Sequence, residues 1–527
     1  MTATEVPQDA AAPKARSRRP RGELIAYAVL VAVALALRFY DLGDRPFHHD
    51  ESQDAYFSYT FWKNGGYEYD PLLHGPLRFY LTAAMYTLFG DSDFTARLAP
   101  ALMGTLMVPL PYLLRAQIGR VGAFAAAVAL AIGPSYLYFS RFAREDIYIA
   151  AITLALLVVA FRFLSTPRRH HPALIGILLA LSFATKETTF ITLFVAGTFF
   201  LAVLISPWRD TVIAPVRSVG LIAWGWALIA FLGVYTVLFT TFLTHPEGAK
   251  GLYTGLDYWL GQHDVGRGGE SRIFYGVVLG LIEWPALVLG AVGAVATIRR
   301  PTLLRVFLVW AFVVSLIVYS WAGEKFAWLV LHPLLPLLLL AGVGVQAIWD
   351  ARRHWYGRLG FVATVACFAY VIFSSYSVNA LHRADPRELL VTTQSSEEVA
   401  KVADQVVAEA KAAEAAGRPF PITIDSAEGA TFPWAWYFRD LQTGYIDLGG
   451  AANAPPEDAE VLILTQGARD RLDPDLRDQY SSREFPFRVW WVREYDKLRP
   501  GTAWRYLTRR EPWNATGGMP EFLYERR

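Results

Sequence analysis

Between residues 24 and 376 the chain returns repeatedly to apolar runs long enough to cross a bilayer, and this constrains its fold more than any other feature. A spanning helix needs about 20 apolar residues, and inside hydrocarbon only helices or closed barrels satisfy the backbone. The segments near 24–40, 98–114, 121–139, 147–164, 172–185, 189–206, 219–240, 274–297, 305–320, 328–347 and 359–376 qualify. Residues 377–527 have the mixed composition of a water-facing domain. The expected fold class is a polytopic α-helical membrane protein of about eleven transmembrane helices with a C-terminal α/β domain. The stretch "PKARSRRPRGELIAYAVLVAVALAL" joins a basic region to an apolar one without a small-residue cleavage site, so it reads as an uncleaved first helix behind a disordered segment, 1–22.

Lys and Arg in short loops set orientation. Lys14, Arg16, Arg18, Arg19 and Arg21 place the N-terminus in the cytoplasm. Alternate connections then carry Arg115 and Arg120, Arg162 with Arg168 and Arg169, Arg209 and Arg217, Arg299 with Arg300 and Arg305, and Arg352 with Arg353 and Arg358. All fall inside if "LRFYLTAAMYTLFG" (77–90) lies flat or re-entrant at the outer surface. The outer loops are then 40–97, 140–146, 186–188, 241–273 and 321–327. A transmembrane domain over 23–376 leads to an extracytoplasmic domain over 377–527, and the protein belongs in the cell membrane.

In the C-terminal domain "ELLVTTQ", "PITIDS", "GYIDLG", "AEVLILT" and "FRVWWVREY" read as strands. Residues 395–418 read as a helix, N-capped by Ser396 and stopped by Gly417. The balance of 49 Lys plus Arg against 47 Asp plus Glu argues against a nucleic-acid binder. With Cys367 alone, neither an intrachain disulfide nor a cysteine zinc site can form. There is no nucleotide-binding motif.

The unusual polar groups converge on the outer face. "RPFHHDESQDAYF" brings His48, His49, Asp50 and Glu51 to the mouth of the first helix; "SRFARED" brings Arg141, Arg144, Glu145 and Asp146; "ATKETT" brings Lys186 and Glu187; "YWLGQHDVGRG" brings His263; "AGEKFAWLVLHPLLP" brings Glu324, Lys325 and His332. Ionisable groups at membrane helix ends are costly and often functional. Each also has a plainer reading. Asp146 can cap a helix, Arg141 and Glu145 can form an i,i+4 pair, Lys186 and Lys325 can snorkel, and His332 can be a packing residue. Taken together, carboxylates that accept a hydroxyl proton beside cations that hold a departing phosphate suit transfer of a group from a lipid phosphate.

The order of "HHDES", "YDPLLHGPL", "LFGDSDFTARLAPALMG", "YFSRFARED", "FATKET", "YSWAGEKFAWLVLHPLLP" and "PWAWYFRDL" resembles glycosyltransferases of the GT-C fold, among them protein O-mannosyltransferases and aminoarabinose transferases. It is most similar to a narrower group labelled flippase-activity-associated, although Ala327–Trp328 stands where a Pro-Trp pair is expected. The resemblance implies a glycosyltransferase that moves a sugar from a polyprenyl-phosphate donor to a glycan, lipid or protein hydroxyl outside the cytoplasm, with inversion. Its alternative is a flippase or flippase accessory for the same lipid. By resemblance Asp50, Glu51 and Asp146 are catalytic, with Asp50 the base. Arg97, Arg144, Lys186, Glu187, His263, Glu324, Lys325 and His332 bind the lipid phosphate or sugar. A divalent metal on His48, His49, Asp50 and Glu51 is compatible with the pattern.

Overall fold

The structure is a computed structural model that describes residues 21–261, 268–449 and 454–527. Among the described residues seven helices are long and apolar enough to cross a membrane, or up to ten if bent pairs count as single spans. They are Arg21–Phe39, Asp93–Ile118, Asp146–Ser165, Gly220–Phe239, Leu303–Trp321, Ala327–Asp350 and Trp355–Leu381. The expected segment 172–185 is the short helix His171–Phe183. Two other expected spans are not straight. The 121–139 segment bends by 51° between Arg120–Ile132 and Pro134–Ser140, and the 274–297 segment bends by 94° between Phe274–Leu281 and Trp284–Arg299. Pro134 and Pro285 lie in the first turn of the second helix of each pair, where the missing N–H is tolerated.

Buried side chains meet the backbone groups that the first of these breaks releases. Arg38, fully buried, donates to the carbonyls of Leu130 and Ala131 at 3.0 Å each. Glu283 accepts the Ser135 N–H at 3.0 Å, so a carboxylate at one break caps the helix beyond the other. The Ala327–Asp350 helix runs through the middle of the bundle, with 94% of its apolar window buried. Its glycines permit backbone contact with a neighbour: a Cβ on Gly344 would stand 2.1 Å from the Leu289 carbonyl oxygen. The 77–90 segment is the helix Leu77–Phe89, packed against His49–Asn64 and Asp93–Leu106.

The C-terminal domain holds a six-stranded sheet in the order β1-β5-β6-β4-β2-β3. The strands are β1 Gln394–Ser395, β2 Ile422–Asp425, β3 Thr443–Ile446, β4 Val461–Thr465, β5 Tyr480–Trp490 and β6 Gly517–Arg526. β2 pairs parallel with β3 and β4; the other pairings are antiparallel. Helix Glu397–Ala415 lays Val399, Val402 and Val406 on Ile424, Ile463 and Leu523 of the sheet. Two expectations need correction. Of 388–394 only Gln394 enters the sheet, and Ser396, although at the N-cap position, turns its hydroxyl to the Pro486 carbonyl rather than to its own helix. β6 and the first half of β5 escape notice in the sequence because charged and apolar residues mix there without long apolar runs.

This domain sits directly on the first loop. Gln394 donates to the Pro46 carbonyl at 2.9 Å, the Phe47 N–H donates to the Tyr437 hydroxyl at 3.0 Å, and Trp436 donates to Asp93 at 2.8 Å. "PWAWYFRDL" is therefore the clamp that fixes the loop beneath it.

Candidate active site

The row His48-His49-Asp50-Glu51 is first of all a helix start. His48 is the N-cap of His49–Asn64, its Nδ1 accepting the Asp50 N–H at 3.0 Å, while Glu51 accepts the His48 N–H at 3.2 Å. The four side chains then diverge. Burial holds the His48 imidazole below its usual range, and burial lowers His49 to about 4, so both are neutral near pH 7. His49 Nδ1 lies 2.9 Å from an Arg488 nitrogen of β5.

Glu51, fully buried, accepts five N–H groups. Arg97 binds both oxygens, at 2.9 and 3.2 Å, and Arg45 donates at 2.9 Å. The Ala143 N–H donates at 2.8 Å, pinning the 141–145 loop to the first loop. Burial raises the Glu51 carboxyl and the guanidiniums of Arg45 and Arg97 outweigh it, leaving it at about 2. Arg97 spends its remaining N–H groups on the carbonyls of Leu42, Arg45 and Pro46. It has no donor left for a lipid phosphate, and Glu51 has no free lone pair for a substrate. Both belong to the scaffold, which corrects the roles read from the sequence.

Asp50 is different. Its side chain is 25% exposed, and its carboxylate pairs with Arg144. Burial raises its pKa, and Arg144, with the two histidines, brings it down to about 2. Arg144 also reaches Glu145 at 3.0 Å and Asp146 at 3.7 Å, and lies over the Trp328 ring at 4.4 Å. Lys186 bonds Glu145 and Asp146 at 2.9 Å each. With a side chain 3% exposed, Lys186 does not snorkel to water. Asp146 opens the Asp146–Ser165 helix behind Glu145 and is not its N-cap. Arg141 does not pair with Glu145; it donates to the carbonyls of Tyr40 and Asp41.

Several members of this network are missing from the sequence reading. His74 bridges Glu145 at 3.2 Å and Glu187 at 2.8 Å. Its loop reaches them because Gly75 touches the 184–185 backbone, where a Cβ would stand 2.2 Å from the Ala184 carbonyl oxygen. Arg78 pairs with Asp54 and lies 3.5 Å from Glu145. An arginine inside the apolar "LRFYL" was the available signal for it. Glu187 faces His74 and Tyr69 rather than Lys186. Lys325 turns back onto the Ala322 carbonyl at 2.5 Å, its ammonium disfavoured by burial and by Arg272. His263 lies outside the described residues.

The histidines and acids of the first loop do not form a metal donor set, since Asp50 and Glu51 face guanidiniums and His48 caps a helix. Among the described residues no three His, Cys, Asp or Glu side chains gather as ligands.

Close to the charged network is an apolar cavity of ≈ 220 Å³. Its lining runs along one helix from Ala150, one turn beyond Asp146, to Phe161, a rise of about 16 Å. Ile191, Phe200 and Phe307 line it from neighbouring helices, as do Tyr319 and His332, whose rings stack at 4.8 Å.

Residues 73–238, less than half of the chain, match the family model for dolichyl-phosphate-mannose-protein mannosyltransferase. No curated protein sequence matches the chain significantly. Among solved structures, ArnT from Cupriavidus metallidurans bound to undecaprenyl phosphate superposes with a TM-score of 0.60 at 16% identity, covering 94% of this chain and 97% of ArnT. The archaeal oligosaccharyltransferase AglB from Archaeoglobus fulgidus, in complex with an inhibitory peptide and a dolichol-phosphate, gives 0.54 at 12% identity over 88% of this chain and 72% of AglB. The mycobacterial arabinofuranosyltransferase AftD gives 0.52 at 14% identity over 95% of this chain and 40% of AftD. The chain has the GT-C fold, that of membrane glycosyltransferases related to O-mannosyltransferases and aminoarabinose transferases.

Proposed function

We propose that this protein is a membrane glycosyltransferase that moves a sugar from a polyprenyl-phosphate donor to an acceptor hydroxyl on the extracytoplasmic face. The observation that carries this reading is the placement of Asp50. It is a partly exposed, ionised carboxylate joined through Arg144 and Asp146 to Lys186, close to an apolar cavity between membrane helices. A base, a phosphate-binding pair and a chamber for a lipid tail thus lie within one connected network. The relatives solved with undecaprenyl phosphate or dolichol-phosphate support a lipid of this class.

In this mechanism the isoprenoid chain enters the cavity and the phosphate approaches Arg144 and Lys186. A carboxylate held at about 2 by a guanidinium is a poor base. A phosphate that draws Arg144 to itself releases Asp50, whose pKa then rises towards the ordinary carboxylate range. Asp50 takes the acceptor hydroxyl proton as that oxygen attacks the anomeric carbon from the face opposite the phosphate. The carbon–phosphate-oxygen bond breaks, the configuration inverts, and the leaving phosphate carries its charge to Lys186 and Arg144. The Arg-rich connections support a cytoplasmic N-terminus and an extracytoplasmic C-terminal domain, with that domain roofing the site through Arg488 and Trp436.

The test is incubation of purified protein with a polyprenyl-phosphate hexose, scoring released polyprenyl phosphate, in wild type and Asp50→Asn. Turnover should fall by about 10²–10⁴-fold in the variant while donor affinity changes little. Translocation of the lipid without sugar release, at a rate untouched by Asp50→Asn, would replace this reading with a flippase.

A further inference from the structure

The helix His49–Asn64 carries a stripe that leads away from Asp50. Phe57 and Phe61 stand within about 20° of Asp50 around the helix, about 10 and 16 Å further along it. Both rings line an open groove of ≈ 490 Å³ on the first outer loop.

The opposite wall is the 65–73 segment. Gly65 and Gly66, at φ 68° and 74°, turn the chain back, and a Cβ on either would meet no atom within 4 Å. Tyr67, Glu68 and Asp70 follow them along the groove. The segment runs into His74, which bridges Glu145 at 3.2 Å and Glu187 at 2.8 Å. Glu145 bonds Arg144 at 3.0 Å, and Arg144 pairs with Asp50. One wall thus starts at Asp50, and the other ends in the network that holds Asp50.

The lining defines the class of ligand. Glu68 and Asp70 are exposed, and no Lys, Arg or His lines the groove among the described residues. Two carboxylates exclude a hydrocarbon tail and repel an anion. Aromatic rings beside hydroxyls and carboxylates suit a molecule with apolar C–H faces and hydroxyls at its edges, as a sugar ring has. Tyr67 points to a ligand independently. It is 8% exposed, and its hydroxyl has no hydrogen-bond partner among the described residues. Buried polar atoms nearly always find partners, and a hydroxyl-bearing ligand supplies one.

We propose that this groove binds the acceptor, and that the acceptor is a saccharide chain without anionic groups. Its terminal hydroxyl reaches Asp50, and the rings behind it lie along Phe57 and Phe61. This rests on the glycosyltransferase reading above and narrows its acceptor to a glycan.

The experiment is saturation-transfer NMR on the purified protein with three sets of probes: neutral hexose oligosaccharides of increasing length in α and β linkage, the same chains ending in a uronic acid, and Ser/Thr peptides of matching mass. Neutral chains should bind, more tightly as rings are added, and the uronic acid chains more weakly. Tyr67→Phe keeps the ring and removes only the unpartnered hydroxyl. Its thermal unfolding should match wild type, while affinity for the neutral chains falls about two- to tenfold. Glu68→Gln, at an exposed side chain, should narrow the discrimination against the uronic acid chains. Both variants should bind polyprenyl phosphate within about twofold of wild type. Peptides that bind in place of the sugars, affinity that ignores chain length, or a Tyr67→Phe protein that binds them like wild type would overturn the groove assignment. The sugar-release assay above judges the glycosyltransferase reading separately. Release of polyprenyl phosphate by a protein that binds no oligosaccharide would leave that reading standing and remove this acceptor site.

Discussion

Replacing Glu51 with Gln separates a catalytic carboxylate from a structural one. The side chain is fully buried and accepts from Arg97 twice, from Arg45, and from the backbones of Ala143 and His48. Gln has the same shape but only one acceptor oxygen. Its amide does least harm at the Oε1 position, where it confronts the Arg97 Nε–H and the Ala143 N–H. Those two donors lose their partner, and the guanidiniums of Arg45 and Arg97 lose their counter-charge. Breaking a buried pair by removing one partner costs about 3–5 kcal/mol. Thermal unfolding of purified, detergent-solubilised protein should show that loss, while kcat of the fraction still folded stays within a few-fold of wild type. The pH dependence gives a second readout. The folded carboxyl titrates at about 2 against an ordinary 4.5. Its stabilisation is therefore complete above the ordinary value and disappears as pH falls through about 2. Wild type should lose stability across that interval, and Glu51→Gln should lose less. A variant as stable as wild type that has nonetheless lost turnover would return Glu51 to the reaction and refute the scaffold argument.

Lys186→Met leaves Glu145 and Asp146 without the ammonium each bonds, so it should unfold more readily; adding Asp146→Asn should restore part of the stability but not the affinity for polyprenyl phosphate, and a double variant that binds lipid like wild type would make Lys186 purely structural. Arg38→Met strips the carbonyls of Leu130 and Ala131 of their donor at the break before Pro134 and should destabilise by about 3 kcal/mol or more, a cost read by thermal unfolding; an unchanged unfolding temperature would show that the break needs no side-chain cap. For orientation, Glu414→Cys in a Cys367→Ala background places a thiol on an exposed helix face of the C-terminal domain. A membrane-impermeant reagent should label it in intact cells, and labelling only after permeabilisation would invert the topology.

The membrane architecture could be read from residue order because hydrophobic length is a local property. Apolar runs near 20 residues are interpretable without knowing their neighbours. Pro134 and Pro285 were visible too, but at the Pro134 break the freed backbone is satisfied by Arg38 and Glu283, which arrive from elsewhere in the chain. The C-terminal domain was half legible. Apolar strands β2 and β4 stand out, whereas β6 is a strand because β4 and β5 flank it.

The site divides in the same way. Sequence supplied Asp50, Arg144, Asp146 and Lys186, since charges at the ends of apolar segments are conspicuous wherever they occur. Residue type and spacing alone could not separate Asp50 from Glu51; only the family resemblance named Asp50 as the base. The two are adjacent and chemically alike, but on a helix they point about 100° apart, one towards Arg144 at a partly open edge, the other into Arg97 and Arg45. Nor could it find His74, Arg78 and Arg488, whose importance lies in Glu145, Asp54 and His49, partners far from them in the chain or, for Arg78 and Asp54, on different helices. Sequence determines which charges the chain carries and which of them stand at the ends of apolar segments. Which of them are spent on one another, and which are left for a substrate, is decided only by packing, because pairing energy depends on distance and burial and neither is a property of residue order.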